Sequence, residues 1–422
     1  MKSHLHGSAI LMLVALGWVP PALAEENPAI VETLAILRER GMIDESKHAE
    51  LVAKNQAWEG SHPSLLSRLE WSADLRGRLE NFWYDPDDFG PDTEDRNRGR
   101  YRLRLAARAK VNEVVTAGFR LASGENDHRS TNQSFGKEND FGPDAIWIDQ
   151  AYVELGMPKR FLPEGMTLRS TIGKQANPFL WKNGRDFMLW DQDITPEGVG
   201  FQVAGAPTEM LSLYGNAGYF IADENSGAKD PHVLGLQGGF GLAPVESFDF
   251  GARMSFYGWG SVNDPFLTRT ADDGSLISDT GDYKVVELAS FGRLETFEKW
   301  PILVYGHIAQ NVEAQGPAGV GDEDLGWGAG VEVGDKKRIM LGAGYYHLEA
   351  NFSPPQFTDS DLFDGYTNRE GFLVYASREI FANTELNLTL FSGDAIEDGP
   401  AFDLEAESAD RYRLQTDLVV KF

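Results

Sequence analysis

The chain predicts an all-β fold: a transmembrane antiparallel β-barrel of about sixteen strands behind a short N-terminal helical segment. Three observations carry this. Apolar and polar residues alternate in long stretches from Leu69 to the end. The links between those stretches alternate between long and short. RNRGRYRLRLAARAK (96–110) puts seven Arg or Lys into fifteen positions of a chain whose net charge is −27, and five of them fall on one strand face.

Residues 1–24 read as a cleaved secretory signal. Lys2 is the basic start, 9–19 the apolar stretch, and Ala22-Leu23-Ala24 the small-residue end. A membrane anchor is the rival reading. The stretch is short for a span, and Pro20-Pro21 breaks it. No later segment approaches twenty apolar residues. The chain has no Cys, which excludes a disulfide framework, a thiolate metal site and C-x-x-C-H haem attachment.

Residues 25–66 change period. Ile30, Leu34 and Leu37 lie on a helical face that Gly41 ends, and Asp44 caps a second helix containing Leu51 and Val52. The segment is too short for a sustained coiled coil.

The barrel occupies 67–422. Leu69, Trp71, Ala73, Leu75, Gly77 and Leu79 alternate with Glu70, Ser72, Asp74, Arg76, Arg78 and Glu80. The last stretch, 411–422, does the same. Sixteen strands are predicted at 69–82, 100–111, 114–123, 146–156, 166–175, 199–206, 210–221, 232–242, 247–259, 283–294, 301–310, 325–333, 338–348, 371–379, 384–391 and 411–422. Long polar links follow the odd-numbered strands, around 84–98, 124–144, 176–198, 260–282, 349–370 and 392–410. Short links follow the even ones, at 112–113, 206–209, 243–247, 334–337 and 381–383. A soluble β-sandwich also alternates. Strand length, aromatic residues at strand ends (Trp83, Tyr101, Trp147, Trp300, Tyr412) and the asymmetric links favour a membrane barrel. An even strand number leaves both termini on the short-turn, periplasmic side.

The ending YRLQTDLVVKF, with Phe422 last, resembles the strand that the barrel-assembly machinery reads in outer-membrane proteins. NPFLWKNGRDFMLWDQDITPEGVGF (177–201) and FTDSDLFDGYTNREGF (357–372) resemble segments of the "putative porin" family. The resemblance covers the mature chain. It implies a Gram-negative outer-membrane porin with a barrel of roughly sixteen strands that passes small solutes or ions. A homotrimer is expected only by analogy with sixteen-stranded porins.

The charges place the pore walls. Arg100, Arg102, Arg104, Arg108 and Lys110 lie on one face of strand two, and Tyr101, Leu103, Leu105, Ala107 and Ala109 on the other. A charge facing lipid near the midplane costs about 2–4 kcal/mol. Five would exceed the stability of most domains. The basic face therefore points into the lumen. Arg76 and Arg78, Arg120, and Arg411 and Arg413 extend the wall onto the neighbouring strands. The link 176–198 carries the apolar anchors Phe179, Trp181, Phe187 and Trp190, and the acids Asp186, Asp191, Asp193 and Glu197. Such a loop is expected to fold inward on its anchors and set its acids opposite the basic wall, leaving a narrow wet gap with a transverse field. The simpler account is that these charges solvate the lumen and pair with each other.

The remaining loops hold much of the negative charge. They suit contact with lipid and lipopolysaccharide, and none has EF-hand spacing. No metal or other cofactor is expected. No G-x-S-x-G surrounds a Ser, so an enzyme is not expected. A nucleic-acid partner accounts for neither the leader nor the acidic total. The alternative function is a non-conducting barrel, an adhesin or a sheath for another component.

Overall fold

The computed structural model describes residues 28–61, 69–84, 95–137, 140–181, 188–227, 229–261, 268–270, 276–278, 283–295, 300–314, 323–396 and 411–422. The chain divides into two units, Met1–Leu69 and Glu70–Phe422. The predicted signal segment lies outside the described residues.

The first unit is a helix pair, α1 (Pro28–Glu39) and α2 (Glu45–Ser61). Pro28 suits a helix start, where its missing N–H is not needed. Gly41, at φ 67, lets the chain leave α1, and the Met42 N–H returns to the Leu37 carbonyl at 3.0 Å. Asp44 caps α2 by accepting the Lys47 N–H at 2.7 Å.

The second unit is a closed antiparallel barrel. Its strands are β1 (Leu69–Tyr84), β2 (Arg96–Lys110), β3 (Val115–Ala122), β4 (Trp147–Gly156), β5 (Thr167–Lys174), β6 (Glu197–Gly205), β7 (Leu211–Ile221) and β8 (His232–Val245). Then follow β9 (Phe248–Gly260), β10 (Lys284–Leu294), β11 (Ile302–Asn311), β12 (Leu325–Asp335), β13 (Ile339–Leu348), β14 (Arg369–Phe381), β15 (Thr384–Ala395) and β16 (Arg411–Lys421). Each strand pairs with its neighbours in sequence, and β1 pairs with β16 from Asp74 opposite Lys421 to Tyr84 opposite Arg411. The two-residue piece Gln133–Ser134 continues the sheet beside Arg100 and Tyr101 of β2.

The sixteen predicted strands correspond one to one with these. The main correction is at β2, which begins at Arg96. Arg96 and Arg98, expected at a loop rim, are strand residues. The turns are also tighter than expected. β8 runs to Val245 and β9 starts at Phe248, while only 382–383 separate β14 from β15. Asn383, at φ 58, makes that second turn possible.

The faces separate as the alternation requires. On β10, Val285, Glu287, Ala289 and Phe291 are buried while Leu288 is 54 % exposed. On β11, Leu303, Tyr305 and His307 are buried while Val304 is 55 % exposed. Buried polar and charged side chains on one face, exposed large apolar ones on the other, are the arrangement of a barrel with lipid outside and water inside. Trp83, Trp147, Trp300 and Tyr412 are exposed at or near strand ends.

Leu288→Arg places a charge on the outward face of β10. It is expected to destabilise the barrel by about 2–4 kcal/mol, measured as a lower urea midpoint in lipid vesicles. An unchanged midpoint would mean that Leu288 does not meet lipid.

Candidate functional site

The strands β16, β1, β2 and β3 carry a strip of arginines on one shared face of the sheet. Each guanidinium meets specific partners. Arg78 binds Asp417 with Nε at 2.6 Å and Asp361 with Nη1 at 2.8 Å. Arg102 binds Asp74 at 2.6 Å. Arg104 binds Asp193 at 2.5 Å and Thr131 Oγ1 at 2.7 Å. Arg413 reaches Glu80, Asp364 at 2.8 Å and Asp361 at 3.1 Å. Arg411 also meets Asp364, and Arg120 meets Asp149. Glu80, fully buried, accepts from Arg98 at 2.6 Å as well. Arg76 donates to Asn132 Oδ1 at 2.6 Å, and Arg100 to Ser130 Oγ at 3.2 Å. Two predicted wall members stand apart. Arg108 is half exposed and pairs with Glu154 at 3.3 Å, and Lys110 is exposed at the end of β2.

The described residues of the link between β5 and β6, 175–181 and 188–196, pack on residues of β7 to β11. Phe179 is fully buried and lies over Gly235, where a Cβ would sit 2.2 Å from its ring. Its carbonyl accepts from Gln237 at 3.0 Å and Arg253 at 2.9 Å. Arg253 is paired with Glu287 at 2.7 Å and lies 4.7 Å from the Trp181 ring centroid. Met188, Leu189, Trp190 and Ile194 are buried in one cluster with Phe220, Tyr257 and Trp259. Phe179, Trp181 and Trp190 are thus seated on barrel residues. Phe187 and Asp186 lie outside the described residues.

The predicted acids divide. Asp193 lies directly on the basic strip, bonded to Arg104, with no gap between them. Asp191 turns elsewhere. It accepts the Ser360 N–H at 2.8 Å and the Asp193 N–H at 2.7 Å, while its own N–H donates to the Phe357 carbonyl at 2.7 Å. Glu197 is a correction. It opens β6 and pairs with Lys174 of β5 at 2.8 Å, because the ladder resumes there.

The missing acids come from 349–368, between β13 and β14. Asp359, Asp361 and Asp364 belong to FTDSDLFDGY, a segment noticed for family likeness and not for charge. Phe357, Leu362 and Phe363 are its buried anchors. Phe363, Asp364 and Gly365 all have positive φ (51, 54 and 80). This unfavourable turn directs Asp364 to Arg411 and Arg413, whose bonds help to hold it. A third link, 123–146, supplies Ser130, Thr131 and Asn132, and Arg129 donates to the Pro355 and Gly365 carbonyls at 3.2 and 3.3 Å. No periodicity marks these residues. Only repeated short-spaced Asp beside aromatics could have signalled the 357–366 segment.

A cavity of about 380 Å³ lies among these elements. Arg76, Arg78, Arg102 and Arg129 line it, with Asp191, Asp193, Asp359, Asp361 and Asp417. The loop acids divide electrostatically. Burial, and then the Asp193 charge, push Asp191 up to about 7. Asp359 is likewise pushed up by burial and by Asp191. Burial also disfavours ionised Asp193 and Asp361, but the arginines around them outweigh it and hold both low.

An unperturbed aspartate ionises near about 3.9. Between about pH 4 and 7 the folded chain therefore keeps a proton at Asp191 that the unfolded chain releases. Loop stability falls as pH rises through that window and levels above it. Amide exchange over 188–196, corrected for intrinsic rate, is expected to quicken from pH 5 to pH 8. Asp191→Asn should flatten that response, and equal slopes would exclude Asp191 as its source.

Comparison with known proteins follows this geometry. The family model described as "putative porin" matches residues 86–293, the stretch holding β2 to β10. Solved structures similar to this chain include the high-pH structure of Pseudomonas putida OprB. That match has 9 % identity and a TM-score of 0.53, and covers 86 % of this chain and 97 % of that one. A triple mutant of the Rhodopseudomonas blastica porin matches at 9 % identity and a TM-score of 0.45, covering 84 % of this chain and 100 % of that one. No curated protein matches the sequence. At such identity the OprB likeness speaks for the fold alone. Together with the family match, the closed sixteen-stranded barrel makes the chain a porin-type channel of the bacterial outer membrane, similar to the "putative porin" family over residues 86–293.

Proposed function

We propose that the barrel passes small hydrophilic solutes or ions by passive diffusion, through a lumen narrowed by the 175–196 loop. The observation that carries this reading is the cavity of about 380 Å³ lined by both signs of charge beside Asp193. The basic strip forms one wall. Asp193 and the acids of 357–364 are its counter-charges, and Asp186 would join them. Charged rings of this kind tune which ions pass, and low-dielectric walls concentrate their field. Dipolar solutes orient in such a cavity, and apolar ones lose the ordered water.

A non-conducting scaffold or sheath is the second reading. A sheath needs a wide lumen, and the burial of Phe179, Trp190 and Phe357 inside the barrel weighs against it. In this proposal residues 1–24 are the export signal, and the 25–66 helices lie on the periplasmic side. Phe422 serves barrel assembly, the acidic loops meet lipopolysaccharide, and the exposed apolar faces meet lipid or further copies in a homotrimer.

Single-channel recording of the folded protein in planar bilayers tests this. Discrete open steps with a measurable reversal potential in a salt gradient are expected. Replacing Arg102 and Arg104 together by Glu should move that potential toward cation preference. A folded barrel without conductance would defeat the proposal, and an unmoved potential would remove these arginines from the ion path.

A further inference from the structure

Two guanidiniums lining the cavity, Arg76 and Arg129, make no ion pair among the described residues. Arg76 leaves β1 between Asp74 and Arg78. The carboxylates around it are engaged: Asp74 by Arg102, Asp417 by Arg78 and Asp193 by Arg104. Arg76 itself makes no ion pair among the described residues. Its one bond there goes to the neutral amide oxygen of Asn132, and its Nε is buried without a partner. Arg129, lining the same cavity, donates only to backbone carbonyls, and its Nε is also buried and unpartnered. Both residues are half-buried. Charge drawn out of water without a partner is costly, and a bound anion would relieve that cost.

We propose that Arg76, with Arg129, binds the carboxylate group of small organic acids in this cavity. The inference rests on the pore reading, since the solute must reach the cavity along the lumen. The planar fork of a guanidinium matches any oxyanion, carboxylate or phosphate. The lining selects between them. Asp193, Asp361 and Asp417 share the cavity, so a dianion meets more repulsion than a monoanion. Gln192, Asn387 and Thr389 offer neutral hydrogen-bonding groups to the rest of the solute. The volume of about 380 Å³ suits a small acid. Passage of such solutes is then saturable, with release from Arg76 limiting it at high concentration.

The test is chloride current through the full chain in planar bilayers, with benzoate, benzamide or inorganic phosphate added. Benzoate should reduce the current to a plateau, benzamide should leave it unchanged, and phosphate should act only at higher concentration. Arg76→Gln should raise the benzoate midpoint about tenfold, the equivalent of about 1.4 kcal/mol. Arg76→Lys should recover part of this. Arg129→Gln, altered on a loop and not on a strand, should also weaken the block. Arg160→Gln, at an exposed pair with Glu113, should not. An unchanged midpoint in Arg76→Gln, or equal block by benzamide, overturns the site while leaving the pore standing. Phosphate block as strong as benzoate overturns the carboxylate assignment. If the barrel does not conduct, calorimetric titration of benzoate into the detergent-folded protein reads the site directly. Tenfold weaker binding in Arg76→Gln supports it, and equal or absent binding in the wild type overturns it.

Discussion

Closure of the sheet in a medium without water is the constraint from which the rest follows. Backbone N–H and C=O groups facing lipid have no solvent partner, so each strand needs two neighbours. The register from Asp74–Lys421 to Tyr84–Arg411 supplies the last pair. Once the ring closes, alternation leaves each side chain two destinations, lipid or lumen. The charges of β2 cannot face lipid, so they go inside. A crowded set of inward arginines then needs carboxylates. Asp74, Glu80 and Asp417 come from the strands, and Asp193, Asp361 and Asp364 from the links.

The lumen is consequently unequal. Under β7 to β13 it is filled by Phe179, Met188, Trp190 and Phe357, seated partly on positions such as Gly235 that carry no Cβ. Toward β14 to β16, β1 and β2 charged residues line the cavity, which also reaches Arg293, Leu303, Glu332 and Met340 of β10 to β13. The two halves depend on each other. Trp259 and Phe357 stack with centroids 4.3 Å apart, and the Asp191 N–H meets the Phe357 carbonyl, so the aromatic packing positions the 357–364 acids. Arg253 and Gln237 hold the other end of the 175–196 link at one carbonyl. Buried charge serves here as a fastening between loop and wall. The proton on Asp191 limits the like-charge repulsion this brings.

Much of this was legible before any coordinates. Period-two alternation gave the strands, because a strand has only two faces and the environments on either side of the wall differ sharply. The anchors Phe179, Trp181 and Trp190 stood out because apolar residues in a long polar link need somewhere to be buried. Asp193 was found through its neighbours, whereas Glu197 was misplaced because a strand edge carries no mark in a run ending EGVGF. Asp361 lies 283 residues from Arg78 of β1, which it binds, and local pattern carries no information over that separation.

The sequence by itself determined the barrel and its strand number. These depend on local alternation and on the cost of exposing charge to lipid. Only the tertiary structure decided which carboxylate meets which arginine, that acids of two links pair with the strip, and that Arg76 makes no ion pair among the described residues. Those outcomes depend on how separate links meet inside a closed wall, where a few ångströms separate a paired charge from an unpaired one.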